Sequence, residues 1–116
     1  MTRKAAEKRG RLAELVAANF LRLKGWRILA HRVRTPAGEV DLVARRGRIV
    51  AFVEVKARAS DAALDLSLDR ARLRRVAAAA EILIPRFGTD GDDFRIDAVL
   101  IAPGRMPRHL EHVWQG

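Results

Sequence analysis

The 116-residue chain carries 23 Lys plus Arg against 14 Asp plus Glu, a formal net charge of +9 and a pI near 11.4; this length suits one domain, residues 1–116. With no cysteine in the chain, disulfides, thiol catalysis and thiolate metal sites are excluded. No apolar run is long enough for a signal segment or a membrane span, so a soluble cytoplasmic protein that does not engage a membrane is expected, and the basic excess points to a polyanion, most often nucleic acid.

Residues 4–23 read as a helix, with Leu12, Leu15, Val16, Phe20 and Leu23 on one apolar stripe facing the core and Gly25 as the stop. Glu14 lies nearly opposite that stripe, beside Gly10, Ala17, Ala18 and Leu21. Two readings stand for it. It is either a solvated glutamate pairing with Arg11, or a carboxylate on a small-residue flank where something packs closely.

Trp26, Ile28, Leu29 and Val33 suggest a first strand with Trp26 as a core anchor, and residues 35–38 (Thr-Pro-Ala-Gly) a turn. Residues 38–44 (Gly-Glu-Val-Asp-Leu-Val-Ala) form a second strand, which residues 45–48 turn back into a third, residues 50–56 (Val-Ala-Phe-Val-Glu-Val-Lys). Side chains alternate along a strand, so Glu54 and Lys56 share a face. With the turn at Arg46-Gly47, or a loop over residues 45–48, Asp41 faces Phe52 and Glu39 faces Glu54. Asp41 and Glu54 are then diagonal neighbours whose carboxylates can converge on one small cation.

An acid and a base on a buried strand admit a structural reading, a partly enclosed ion pair. Of the 23 basic residues only Lys4, Lys8, Lys24 and Lys56 are lysine, which leaves 19 arginines. Arginine is the better partner for a carboxylate, whereas lysine is a point charge whose pKa shifts readily on desolvation. Lysine at position 56 therefore suggests a chemical role. Hard oxygen ligands can hold Mg²⁺ or Mn²⁺ with positions left for water and a phosphate oxygen, and a nearby lysine can orient or help deprotonate the water.

Residues 59–66 form a loop, either a flap or a linker. Ser67 is the expected N-cap of a helix that runs to Ile84 and ends at Pro85, with Leu73, Val76, Ala77, Ala80 and Ile84 facing the core. Its first turns carry Arg70, Arg72, Arg74 and Arg75, which oppose the macrodipole and suggest, together with Arg58, a nucleic-acid-binding surface. A loop at residues 87–93 and a strand at residues 94–101 follow, in which Asp97 reads as a partner for an arginine. His109 and His112 lack a third ligand for zinc.

Three segments together carry a resemblance: Gly10-Arg11-Leu12-Ala13-Glu14, residues 38–44, and Phe52-Val53-Glu54-Val55-Lys56-Ala57-Arg58. They resemble the YraN-like family of predicted bacterial endonucleases, which belongs by motif to the PD-(D/E)XK, restriction-endonuclease-like superfamily and is similar to Holliday-junction resolvases. The resemblance implies an α/β fold with a central mixed β-sheet flanked by α-helices. It also implies Glu14, Asp41, Glu54 and Lys56 as the catalytic set, with Asp41 and Glu54 binding Mg²⁺ or Mn²⁺, and so favours the functional reading of Glu14. Arg72 stands where relatives commonly carry a lysine.

The expected activity is metal-dependent hydrolysis of DNA, more than RNA, on branched or structured substrates; superfamily members often act as homodimers. The competing expectation is a non-catalytic nucleic-acid-binding or adaptor protein with the same fold.

Overall fold

The structure, a computed structural model, describes residues 2–58 and 69–115. Helix α1 (Arg3–Leu23) starts at Thr2, whose hydroxyl accepts a hydrogen bond from the Ala5 amide at 3.1 Å, and ends before Gly25, which adopts a φ of +92°. Strands β1 (Arg27–Thr35), β2 (Gly38–Arg46) and β3 (Ile49–Ala57) form an antiparallel meander, continued after helix α2 (Arg70–Phe87) by β4 (Asp93–Ile101) and the short β5 (Arg108–Leu110). The sheet order is β1-β2-β3-β4-β5, with β3 and β4 parallel and the other neighbours antiparallel. A parallel pair needs a crossover, and α2 lies within it.

Among the described residues each face of the sheet is covered by one helix, which is the α/β, mixed-sheet architecture expected and is compatible with a restriction-endonuclease-like fold. On one face Val43, Val50 and Phe52 pack against Leu73, Val76 and Leu83 of α2. On the other, Leu42, Ala51, Val53 and Val99 pack against Ala17, Ala18 and Leu21 of α1. No helix among the described residues is long and apolar enough to cross a membrane.

Helix α1 is rotated from its expected orientation. Leu12, Leu15, Val16 and Leu23 are 54%, 52%, 46% and 88% exposed, while Ala13, Ala17, Ala18 and Leu21 are buried. The small-residue flank wins because alanines let the helix backbone approach the sheet closely, which a row of leucines would prevent. Glu14 shares that flank and is carried inward with it.

The β2–β3 register also differs. Arg46 pairs with Ile49 and Leu42 with Val53, so the turn is Gly47-Arg48 and not Arg46-Gly47. Two-residue hairpin turns need a positive φ at their first position, which Gly47 supplies at +61° and an arginine would resist. The shift is by two residues, so faces are preserved, but the Asp41 position comes level with Glu54 and not with Phe52.

Helix α2 continues through Pro85 to Phe87, and Asp69 is its N-cap, accepting from the Ala71 amide at 2.9 Å. Ser67 and the loop at residues 59–66 lie outside the described residues. Its buried residues are Leu73, Val76, Ala79, Ala80 and Leu83, whereas Ala77 and Ile84 are only partly covered. The basic first turns find partners: Arg70 lies 4.8 Å from the Trp114 ring centroid, and Arg72 pairs with Glu54.

Asp97 in β4 fastens the C-terminal segment. Fully buried, it accepts hydrogen bonds from Arg95 Nε and Nη2 at 3.0 and 3.1 Å and from the His112 amide at 3.0 Å, and it bonds His109 Nε2 at 2.8 Å. Burial alone would raise its pKa, but these bonds hold the carboxyl below its ordinary value. Asp92 similarly anchors the loop before β4, accepting from Arg45 at 2.6 Å and from the Thr89 amide at 2.7 Å.

Urea unfolding of three variants checks this packing. Leu23→Ser should change stability by no more than ~0.5 kcal/mol, whereas Ala18→Leu should cost about 1–3 kcal/mol by overpacking. Asp97→Ala, which removes the buried acid shared by Arg95, His109 and the His112 amide, should cost about 3–5 kcal/mol.

Candidate metal and nucleic-acid site

The site forms where two strands part. Hydrogen-bonded pairing of β2 with β3 ends at Leu42 and Val53, while β2 stays paired with β1 as far as Gly38. Past that point the Val55 amide donates to the Asp41 carboxylate, with Oδ2 at 2.8 Å, in place of a backbone carbonyl of β2. The usual alternation is also broken here: Val40 and Val43 pack into the same cluster, as do Ala30 and Val33 on β1. Between the latter pair Arg32 adopts a φ of +50°, an uncommon conformation for a residue other than glycine.

Asp41 is 6% exposed and Glu54 2%. Burial pushes the Asp41 carboxyl up to about 7, and the charge of neighbouring Glu54 pushes in the same direction against the Val55 hydrogen bond. Burial likewise raises Glu54, opposed by the Arg72 guanidinium. Arg72 Nε donates to Glu54 Oε1, whereas Glu54 Oε2 is buried without a hydrogen-bond partner. Buried polar atoms are rarely left in that state, and those that are invite a functional account.

Glu14 reaches the same region from α1. It accepts from Arg32 Nε at 2.7 Å and, with Arg32, Glu39, Asp41 and Arg72, borders a cleft of about 450 Å³. Lys56 does not border that cleft, although Val55 and Ala57 do. It is partly buried on the α2 side of β3, and its ammonium pKa is lowered by burial and by the charges of Arg58 and Arg72.

Of the four expected catalytic positions, Glu14 and Asp41 border the cleft, Glu54 is buried and joined to it through the cleft residue Arg72, and Lys56 lies two residues further along β3. The expected nucleic-acid contacts disperse. Arg74 and Arg75 are exposed on α2, Arg70 stacks on Trp114, Arg72 is engaged by Glu54, and Arg58 borders a separate, largely apolar groove with Leu12, Val16 and Ile101. Sequence reasoning missed Arg32. An arginine on an alternating strand carries no local sign that its backbone will turn left-handed and bring its side chain to Glu14.

Among the described residues no group of three or more His, Asp or Glu side chains could hold a metal ion. Asp41 and Glu54 are a pair. Mg²⁺ and Mn²⁺ fit such a pair, because Mg²⁺ is usually bound through one or two carboxylates and completes its octahedron with water and phosphate. The unpartnered Glu54 Oε2 and the mutual repulsion of the two acids are what a cation would relieve.

Fold and site define a small α/β protein whose mixed sheet splits over a buried carboxylate pair. Residues 13–101 match the family described as Uncharacterised protein family UPF0102, and the chain belongs to that family. It is 67% identical over 115 residues to a UPF0102 protein of Sphingopyxis alaskensis, covering 99% of both chains. UPF0102 proteins of Erythrobacter litoralis and Rhizorhabdus wittichii are 56% and 57% identical over 115 and 114 residues. These alignments cover 99% of both chains for the first, and 98% of this chain and 97% of its relative for the second.

Asp41 supplies a pH signature. Its native pKa of about 7 lies above the ordinary 3.8, so between those values the folded state binds more protons than the unfolded one. Stability of the metal-free protein should therefore fall as pH rises through that window. Asp41→Asn should flatten the slope, as read by urea unfolding at several pH values.

Proposed function

We propose that this protein is a divalent-metal-dependent endonuclease of the PD-(D/E)XK, restriction-endonuclease-like class that hydrolyses DNA phosphodiester bonds, with branched or structured DNA as the substrate to test first. The observation that carries the reading is the buried Asp41–Glu54 pair at the strand split, one oxygen of which is unpartnered, with Lys56 two residues further along β3. The net charge of +9 supports a polyanionic substrate.

Asp41 and Glu54 would hold the cation. Bound there, it would polarise a phosphoryl oxygen and acidify a water molecule. The protein's own residues do the rest. Lys56, with its proton loosened by burial and neighbouring arginines, can hydrogen-bond the attacking water or the developing phosphoryl charge. Exposed Arg74 and Arg75 supply phosphate contacts that position the backbone. Glu14, braced by Arg32, orders the rim of the cleft.

A second reading, a nucleic-acid-binding or adaptor module, is favoured by one feature: Glu14 and Glu54 already have arginine partners, so their charges are compensated without a cation. Cleavage of end-labelled linear, flapped and four-way-junction DNA with Mg²⁺ or Mn²⁺ separates the two. Asp41→Ala should abolish cutting and Lys56→Ala should slow it roughly 10²-fold or more, with DNA binding retained. Binding without cutting by the wild type, with either metal, would leave the adaptor reading.

A further inference from the structure

Two arginines that border the cleft, each from a different element, hold acids at or beside it. Arg72 of α2 donates to Glu54 Oε1, and Arg32 of β1 donates to Glu14 Oε1 at 2.7 Å. The partners differ in freedom. The Arg72 and Arg32 side chains are 47% and 38% exposed, while those of Glu54 and Glu14 are 2% and 12% exposed. Each pair joins an enclosed acid to a base with one side in open water, so the base is the member able to leave.

Arg72 also has a place to go. It borders both the cleft that Asp41 opens into and an adjoining hollow of about 280 Å³ shared with Gly38, Glu39 and Arg75. Its side chain therefore touches Glu54 and also adjoins a hollow shared with an exposed arginine, Arg75, on the next turn of α2. Arginine's planar fork suits a phosphate as well as a carboxylate, so transfer from one to the other keeps its hydrogen bonds.

Resting on the metal-site reading above, we propose that Arg72 is an exchangeable counter-ion. It occupies Glu54 while no cation is bound, and passes to a backbone phosphate in the cleft when a divalent cation takes the carboxylate. A guanidinium and a dication on one buried carboxylate repel strongly across low dielectric. Cation and nucleic acid consequently bind cooperatively. Each raises the other's affinity by the same factor, since linkage is reciprocal.

The test compares metal-free wild type with Arg72→Ala, Arg72→Gln, Arg32→Ala and Asp41→Ala by calorimetric titration with Mn²⁺. Loss of the counter-ion should tighten Mn²⁺ binding roughly fivefold or more. Arg72→Gln, which keeps a hydrogen-bond donor for Glu54, gives the same direction if the alanine variant folds poorly. Arg32→Ala removes an equal charge from the same cleft without touching Glu54, and should tighten binding much less. Anisotropy of a labelled duplex, measured in a Lys56→Ala background that slows cutting and read before cleavage accumulates, reports the coupling. Mg²⁺ should strengthen duplex binding roughly fivefold or more, and adding Arg72→Ala should remove that gain.

The failures are distinguishable. Asp41-dependent Mn²⁺ binding that both Arg72 variants leave unchanged, or that Arg32→Ala tightens equally, overturns the exchange alone. Absence of Mn²⁺ binding in wild type and Arg72 variants alike overturns the metal site and this proposal with it.

Discussion

The hydrogen bond from the Val55 amide to the Asp41 carboxylate is the constraint around which the site is built. A sheet that continued its ladder would have paired that amide with a backbone carbonyl and left Asp41 to find other partners. Because β2 departs with β1, a side chain completes the valence of β3, which fixes Asp41 beside Glu54 at low exposure. Two acids enclosed together cannot both ionise cheaply, and the raised pKa of Asp41 follows directly.

Comparison with Asp97 shows why this pair is read as functional. Asp97 is equally buried, yet both its oxygens are bonded and its pKa is lowered. Such an acid fastens the sheet to the C-terminal segment and has no capacity left. Asp41 and Glu54 show the opposite signature, with raised pKa values and an oxygen lacking a partner. Burial is common to the structural and the candidate functional acids, and satisfaction of their hydrogen bonds separates them.

The surroundings keep the acidic pair tolerable without closing it. Arg72 and Arg32 compensate Glu54 and Glu14 from positions still exposed to water. Lysine at position 56 gives β3 a cation that does not lock onto Glu54 as a guanidinium does. The first turns of α2 hold Arg70 and Arg72 against the helix dipole because Trp114 and Glu54 receive them.

Much of this was legible in the chain itself. Alternation placed the meander and the Glu54–Lys56 face, since strand periodicity survives a two-residue slip in register, whereas Asp41 meets Glu54 past the end of the β2–β3 ladder, where the strands part. The slip itself came from Gly47, whose left-handed position selects the turn once flanking strands compete for it. The orientation of α1 was not legible. Both its leucine stripe and its alanine flank could face inward, and only the closeness of approach required by the sheet chose the alanines and carried Glu14 with them. Sequence thus determined which chemical groups each element offers, because side-chain identity and backbone period are local. Tertiary structure decided which of them meet: the strand split, the left-handed turn at Arg32 and the capture of Glu54 by Arg72 arise from contacts between residues far apart in the chain.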